Sequence, residues 1–360
     1  RAETGTPAQR LSLDLQVDAA LAAGWRLQLA DRLDVDTVHR FDERHEVNTL
    51  KEAYLTAQLQ PRLAFDLGRV NLFSGVALGY NPTDFFREGA VRSLVSVDPT
   101  SLKKNRQGSA MLRLQAVDEA SSLTLAYSPA LDDQPDNGSY ALDFGATNAR
   151  HRGLLIYSRR LGADFSPQWL LYADEGRAPQ FGLNLTHLFG DATVAYLEWS
   201  GGRSRSLLEQ ALDTPAEVRW RQHVSAGATY TTNDKLSLTA ELQFNGAGLA
   251  RSDWLALPAT SPAAYLAYRE RALFTQEMVT RHALFLYATW QDMAVQHLDA
   301  TAMFRRNGDD HSRLTWLELR YRWPHDELAW QWQAASGTPA SEFGAAAPLR
   351  AWQFSWRHFF

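Results

Sequence analysis

From Lys235 to Asn245 the chain alternates strictly between apolar and polar residues. Leu236, Leu238, Ala240, Leu242 and Phe244 hold one set of positions, and Ser237, Thr239, Glu241, Gln243 and Asn245 hold the other. Side chains of a strand point to opposite faces with period two, so this segment has one apolar and one polar face. Wound as a helix, the same residues would be scattered around the circumference. About eleven residues is also the length at which a tilted strand crosses a hydrocarbon layer.

The pattern recurs along the chain. Leu11, Leu13, Leu15 and Val17 interleave with polar residues, and Trp25, Leu27 and Leu29 do so after Ala22-Ala23-Gly24. Ala53, Leu55, Ala57 and Leu59 follow, then Leu63, Phe65 and Leu67. Further strands are expected at 108–117, 121–129, 150–160, 164–174, 178–188, 191–201, 218–231, 277–290, 293–304, 311–322, 326–336 and 348–360. Short connections near 22–24, 60–61, 118–121, 161–164, 189–191, 232–234, 291–292 and 323–326 alternate with longer ones, at 34–47, 71–107, 130–149, 202–217, 247–276 and 337–347. The 175–177 and 305–310 connections are shorter exceptions. Few windows sustain a 3.6-residue apolar stripe, so helices are not expected.

Short turns on one side, long loops on the other and strands of membrane-crossing length predict an all-β fold. The expected architecture is a single transmembrane antiparallel β-barrel over residues 1–360, with short periplasmic turns and long extracellular or inward-folded loops. Soluble sandwiches, propellers and β-helices also alternate, but they carry abundant charge on the face opposite their core. Here the apolar face holds Leu, Ala, Val, Phe and Trp with few ionised groups. The segments number seventeen, whereas bacterial single-chain barrels normally have even counts. Either a strand precedes Arg1, giving 18, or one segment in 10–32 or 293–304 is misread, giving 16; eighteen is the preferred reading.

Aromatic residues cluster at expected strand ends: Trp25, Phe181, Trp199, Trp220, Trp290, Trp330 and Trp332. Indole and phenol rings favour the headgroup level, being partly apolar and partly hydrogen-bonding. In the last segment Trp352, Phe354, Trp356, His358 and Phe360 share a face against Gln353, Ser355 and Arg357. The terminal Phe360 resembles the C-terminal signal read by the outer-membrane assembly machinery of Gram-negative bacteria. That signal commonly has another aromatic two residues earlier, where this chain has His358, with Trp356 before it. The resemblance implies a periplasmic C-terminus, an outer-membrane location with lipid and lipopolysaccharide contacts, and the assembly machinery as a partner.

Composition narrows the function. The 36 basic and 41 acidic residues leave a formal charge of -5, which gives no basic excess for a nucleic-acid surface. Only Lys51, Lys103, Lys104 and Lys235 are lysines, and the other basic residues are arginines, suited to ion-pair networks on a water-filled wall. No cysteine is present, so disulfides and thiolate metal sites are excluded. The start, Arg1-Ala2-Glu3, lacks a signal peptide's apolar core and reads as a mature or engineered N-terminus.

Alternation places charge on the polar face at Asp14, Asp18, Arg26, Glu52, Asp66, Arg113, Arg221, Glu241, Arg281, Glu318, Arg320, Arg322, Arg350 and Arg357. Charge is costly against lipid and tolerable against water, so these are pore-lining candidates. The excess of arginine, densest over 311–360, favours anionic or polar cargo, although Arg and Glu on adjacent strands also simply neutralise each other. The loop at 71–107 is too long and too apolar for a tether. It is expected to fold inward and narrow a pore, or to cap it from outside, with Tyr80, Asn81, Asp84 and Arg87 as constriction candidates around an Asn81-Pro82 turn.

This loop and the surrounding strands resemble outer-membrane barrels of the alginate-export-like type. The resemblance implies a large porin-type barrel with a charged lumen and an internally folded loop, but does not make alginate the cargo. The leading expectation is selective passage or export of small polar or anionic solutes or polysaccharide, with a periplasmic partner as an option. A non-conducting structural, adhesion or envelope-complex barrel is the alternative. An outer-membrane enzyme ranks lower: His223, His282, His297 and His358 read as isolated, and neither G-x-S-x-G nor H-E-x-x-H occurs. No organic cofactor or metal site is expected. His39 and His45 beside Asp42 and Glu43, the run Asp309-Asp310-His311, and calcium on acidic loops are weak metal readings.

Overall fold

The computed structural model describes residues 8–37, 45–94, 96–214, 218–346 and 348–360. Among the described residues there are seventeen strands, paired antiparallel within each of the units described below. They are β1 (Arg10–Ala22), β2 (Trp25–Asp36), β3 (Glu46–Gln60), β4 (Leu63–Val70), β5 (Ser109–Val117), β6 (Ser121–Ser128), β7 (Arg152–Arg159), β8 (Phe165–Asp174) and β9 (Gln180–Phe189). After these come β10 (Thr193–Ser204), β11 (Arg219–Thr231), β12 (Leu236–Asn245), β13 (His282–Trp290), β14 (Leu298–Asn307), β15 (Arg313–Arg322), β16 (Asp326–Ser336) and β17 (Arg350–His358). Five helices sit in the connections: α1 (Pro99–Asn105), α2 (Phe144–Thr147), α3 (Leu207–Ala211), α4 (Arg251–Thr260) and α5 (Pro262–Thr275).

Two compact units are distinguished. The first comprises Arg1–Gly75, Thr83–Leu183 and Phe274–Gln276; the second comprises Val76–Pro82, Asn184–Leu273 and Glu277–Phe360. In the first, β1 to β8 pair in chain order. In the second, β10 to β17 do the same. Sequence-adjacent pairing needs only tight reversals, and Gly24 and Gly190 supply the positive φ (77° and 60°) that such turns require.

Both segments suspected of being misread are genuine. Residues 10–32 form parts of two strands joined by a tight turn, and β14 exists, displaced to Leu298–Asn307. The displacement has a local cause. Asp292, Ala294 and His297 all take positive φ, so 293–297 is a turn and not the start of a strand. Likewise 277–281 precedes β13 instead of belonging to it, because the Glu277 amide donates to Ala272 and closes α5.

The expectation that helices are absent is corrected by α4 and α5. Trp254, Leu257, Tyr265, Tyr268 and Ala272 of these helices bury together with Leu207 of α3. Their core is built from separate connections, so no one window carries it. The Ser206 capping box starts α3: its hydroxyl accepts from the Glu209 amide while Glu209 accepts from the Ser206 amide.

Burial is inverted relative to a water-soluble sheet. On β12, Leu242 is 68% exposed while Glu241 on the opposite face is 1% exposed. On β17, Phe354 is 75% exposed. Leaving a large apolar side chain in water forfeits about 1.5–3 kcal/mol, so repeating this over most strands is sustainable only in an apolar medium. The sheet's apolar face is a lipid-facing wall by this criterion.

Candidate functional site

The polar face of the second unit holds a short stretch of the long loop. Glu198 of β10 lies opposite Ser225 in the β10–β11 ladder, and Glu241 of β12 lies opposite Gly227 of β11. Strand parity therefore brings two carboxylates to one face two strands apart. Glu198 Oε2 accepts the backbone N–H groups of Val76 (2.9 Å) and Ala77 (3.0 Å), and the Asn81 side-chain amide (3.1 Å). Glu241 accepts the next two amides, Leu78 on Oε1 (2.5 Å) and Gly79 on Oε2 (3.0 Å). Four successive loop N–H groups are thus held by two buried carboxylates. Tyr196 (2.7 Å), Gln243 (2.8 Å) and Ser225 (3.5 Å) also donate to Glu241. Hydrogen bonds to a charged group contribute about 1.5–3 kcal/mol each, enough to fix this stretch on the wall.

Tyr80 and Asn81 are buried within the same arrangement. The Tyr80 hydroxyl donates to Glu277 (2.6 Å) and meets His223 Nδ1 at 2.9 Å. With its proton on Glu277, the hydroxyl offers His223 a lone pair, which suits an Nδ1–H tautomer. His223, isolated in the linear sequence, joins Tyr80 and Glu277 in space. Asn81 also donates to the Ala77 carbonyl (2.6 Å) and closes the turn.

In the first unit the rest of the loop packs on the polar side of β4 to β8. There the wall itself becomes apolar, with Met111, Ala126, Leu154, Ile156, Leu170 and Tyr172 forming a cluster that receives Leu72, Phe85 and Phe86. Phe85 stacks on Tyr172 at 4.6 Å, and the Arg152 guanidinium lies 4.5 Å from the centre of the Phe86 ring. Asp84 is bound bidentately by Arg106 (2.6 and 3.2 Å), and Arg106 also donates to Asn71 Oδ1 (2.7 Å) and the Leu72 carbonyl (2.9 Å). The Arg87 carbonyl accepts from Gln276 at 2.6 Å. Tyr80, Asn81 and Asp84 are therefore turned to holding the loop.

Most of the remaining site candidates lie on the polar face. Arg26 pairs with Asp18 (2.7 Å), and Glu52 accepts the Asn71 amide (3.3 Å). Asp66 takes Arg113 (2.7 Å), Thr56 (2.6 Å) and Gln115 (2.8 Å). In the second unit Arg320 bridges Glu318 (2.9 Å) and Glu327 (2.7 Å), Arg357 adds to Glu327 (3.2 Å), and Arg322 pairs with Asp299 (2.7 Å). Arg221 and Arg281 are held differently, by main-chain carbonyls: Ser204 (3.2 Å) and Gly246 (3.1 Å) for the first, and Gly248 (3.4 Å) for the second. Arg221 also stands 3.7 Å from Glu209.

Arg350 is a correction. It pairs with Ala334 two residues from the Trp332–Trp352 pair, so it shares the face of Trp352 and Phe354. The arginine density of 311–360 obscured its parity, which was visible in the sequence.

At the chain's end Trp356 donates to Asp326 (2.9 Å), His358 contacts the same oxygen (3.0 Å), and Phe360 is fully exposed. His39, Asp42 and Glu43 lie outside the described residues. Among the described residues, no group of three or more His, Asp or Glu side chains is arranged to hold a metal.

Outside the membrane-spanning strands, the β14–β15 and β16–β17 connections, which bond to α4 and α5 through Trp254 and Arg269, carry two carboxyls with opposite tendencies. Burial raises the Asp310 pKa, but donation from Ser312, from the Glu342 amide and from Trp254 outweighs it, and the carboxyl is held below the usual range. Burial pushes Glu342 up, with Arg305 and Asn307 only partly opposing it.

Sequence analysis alone did not single out Glu198, Tyr196, Arg106 or Glu277. Glu198 shares the polar parity of Glu241, the one available signal.

No family model and no curated protein sequence matches the chain. Solved structures do. OccAB1 of Acinetobacter baumannii superposes with a TM-score of 0.57 at 9% identity, covering 98% of this chain and 90% of that one. OccK5 (OpdH) of Pseudomonas aeruginosa gives 0.55 at 11% identity, covering 97% and 90%. At these identities the likeness is one of fold, that of porin-type antiparallel β-barrels of Gram-negative outer membranes.

Proposed function

We propose that the chain is an outer-membrane channel that passes small polar solutes with a preference for anions. The carrying observation is the unequal fate of charge on the second unit's polar face. Glu198 and Glu241 keep their charge but are buried beneath the loop amides, away from the passage, whereas Arg221 and Arg281 are only partly buried and rest mainly on carbonyl oxygens, with Glu209 3.7 Å from Arg221. A surplus of fixed positive charge in a water-filled passage raises the local concentration of anions.

The stretch at 71–107 then serves as a constriction folded onto the wall, with Tyr80, Asn81 and Asp84 securing it. Arg26, Asp66, Arg113, Glu318, Arg320, Arg322 and Arg357 line the passage in compensated pairs that stiffen it, and Glu52 lines it with its carboxylate on the Asn71 amide. The Phe360 end faces the periplasm, and the longer connections face outward. The closed barrel is read as even-stranded, with eighteen strands preferred to sixteen.

Liposome swelling tests the reading. Purified full-length protein should admit a small carboxylate faster than an ammonium solute of equal size. Equal rates, or faster cation entry, would refute the anion preference. A silent preparation would favour a structural barrel.

A further inference from the structure

Three arginines on the lipid-facing surface make no ion pair among the described residues. Arg306 of β14 and Arg313 of β15 are direct cross-strand partners, and both are exposed. Arg306 follows Phe304 on the apolar face, and Arg313 precedes Thr315 and Leu317 on it. Like charges directly opposite each other in a ladder are destabilising unless something anionic sits between them. Arg350 extends the row: Arg313 pairs with Ser336 on β16, and Ala334, two residues along, pairs with Arg350.

Nearby polar groups add no compensating charge. Arg306 reaches His311 Nδ1 at 3.4 Å, and Arg251 reaches Nε2 of the same ring at 2.9 Å. A neutral imidazole can accept from only one of these guanidinium groups. Asp310 and Glu342 are engaged elsewhere, by Trp254 and Asn307.

Immediately below Arg350 on the same face the Trp352 ring lies 5.3 Å from Trp330 and 6.3 Å from Trp332. A cationic row over an indole ledge, at the strand ends opposite Phe360, has the layering of a headgroup boundary: rings at the interface and charge in the phosphate layer.

We infer that Arg306, Arg313 and Arg350 form a binding site for the phosphate groups of an outer-leaflet glycolipid, seated on the Trp332–Trp352 ledge. Guanidinium forks match phosphate oxygens in bidentate geometry, and phosphate would turn the Arg306–Arg313 repulsion into a bridge. The inference rests on the outer-membrane reading of the previous subsection.

The test titrates full-length protein in mixed micelles with bis-phosphorylated lipid A, its dephosphorylated form and inorganic phosphate. The comparison variant is Arg306→Gln/Arg313→Gln/Arg350→Gln, with Arg62→Gln at the other strand ends as control. Wild type and control should bind the phosphorylated lipid at least about tenfold more tightly than the triple variant or the dephosphorylated lipid. Equal binding by the triple variant, or inorganic phosphate binding as tightly as the lipid, would overturn the site. Heat-modifiable migration and bilayer insertion are read on the same samples. If wild type inserts but binding ignores the three arginines, this inference alone fails. If wild type does not insert, the outer-membrane reading fails with it.

Discussion

The Gly79 amide donates to Glu241 at 3.0 Å, and a Cβ on Gly79 would lie 2.5 Å from Cγ of Phe285 and 2.7 Å from Gln243 Nε2. The loop comes this close to the wall only because the residue has no side chain. Gly79→Ala should therefore lift 76–79 from Glu241, at a cost of about 1–3 kcal/mol from overpacking. Faster hydrogen exchange at residues 76–82 would check it. Unchanged exchange would mean that the wall yields instead.

Removing the grip electrostatically should act in the same direction. Glu198→Gln/Glu241→Gln retains the shape but turns two acceptors of charge-assisted bonds into neutral amides. Single-channel conductance should rise and become noisier as the stretch leaves the wall. Unaltered conductance would indicate that residues 76–79 do not set the passage.

Arg106 and Asp84 are both nearly fully buried. Asp84→Ala strands the guanidinium and should cost about 3–5 kcal/mol, whereas replacing both partners with apolar residues should cost less. Thermal unfolding in detergent measures the difference. Equal losses in both variants would mean that the pair's charge is not what holds this turn.

Helices α4 and α5 should loosen with rising pH, because the connections that carry Asp310 and Glu342 bond to Trp254 and Arg269. Glu342 has its folded-state pKa raised by burial, so its contribution is fully present below the ordinary carboxylate value and is lost as pH climbs through the raised one. Asp310 is depressed, so its contribution is present above the ordinary value and is lost only as pH falls through the depressed one. Hydrogen exchange over 246–281 should accelerate with pH beyond its intrinsic rise in wild type, and Glu342→Gln should abolish that excess. An unchanged excess in Glu342→Gln would assign the sensitivity to another group.

Alternation made the strands legible because each buries or exposes its faces independently of distant sequence. Residues 236–245 needed no partner to be read. The helices at 251–275 were not legible: Trp254 and Tyr268 pack on Leu207, more than forty residues earlier, and Pro258 interrupts the local pattern. The loop grip was half legible. Parity put Glu241 on the polar face, but nothing local joins Glu198 to Val76, which lies 122 positions away. Arg350 is polar by type but lies on the apolar face, because its parity with Trp352 and not its charge sets its side of the strand.

Reversal potential across a planar bilayer under a salt gradient tests the central claim most directly, for wild type and for Arg221→Gln/Arg281→Gln. An anion-selective potential that shifts toward zero in the double variant is the predicted result. A cation-selective wild type, or a double variant with unchanged selectivity, would contradict it.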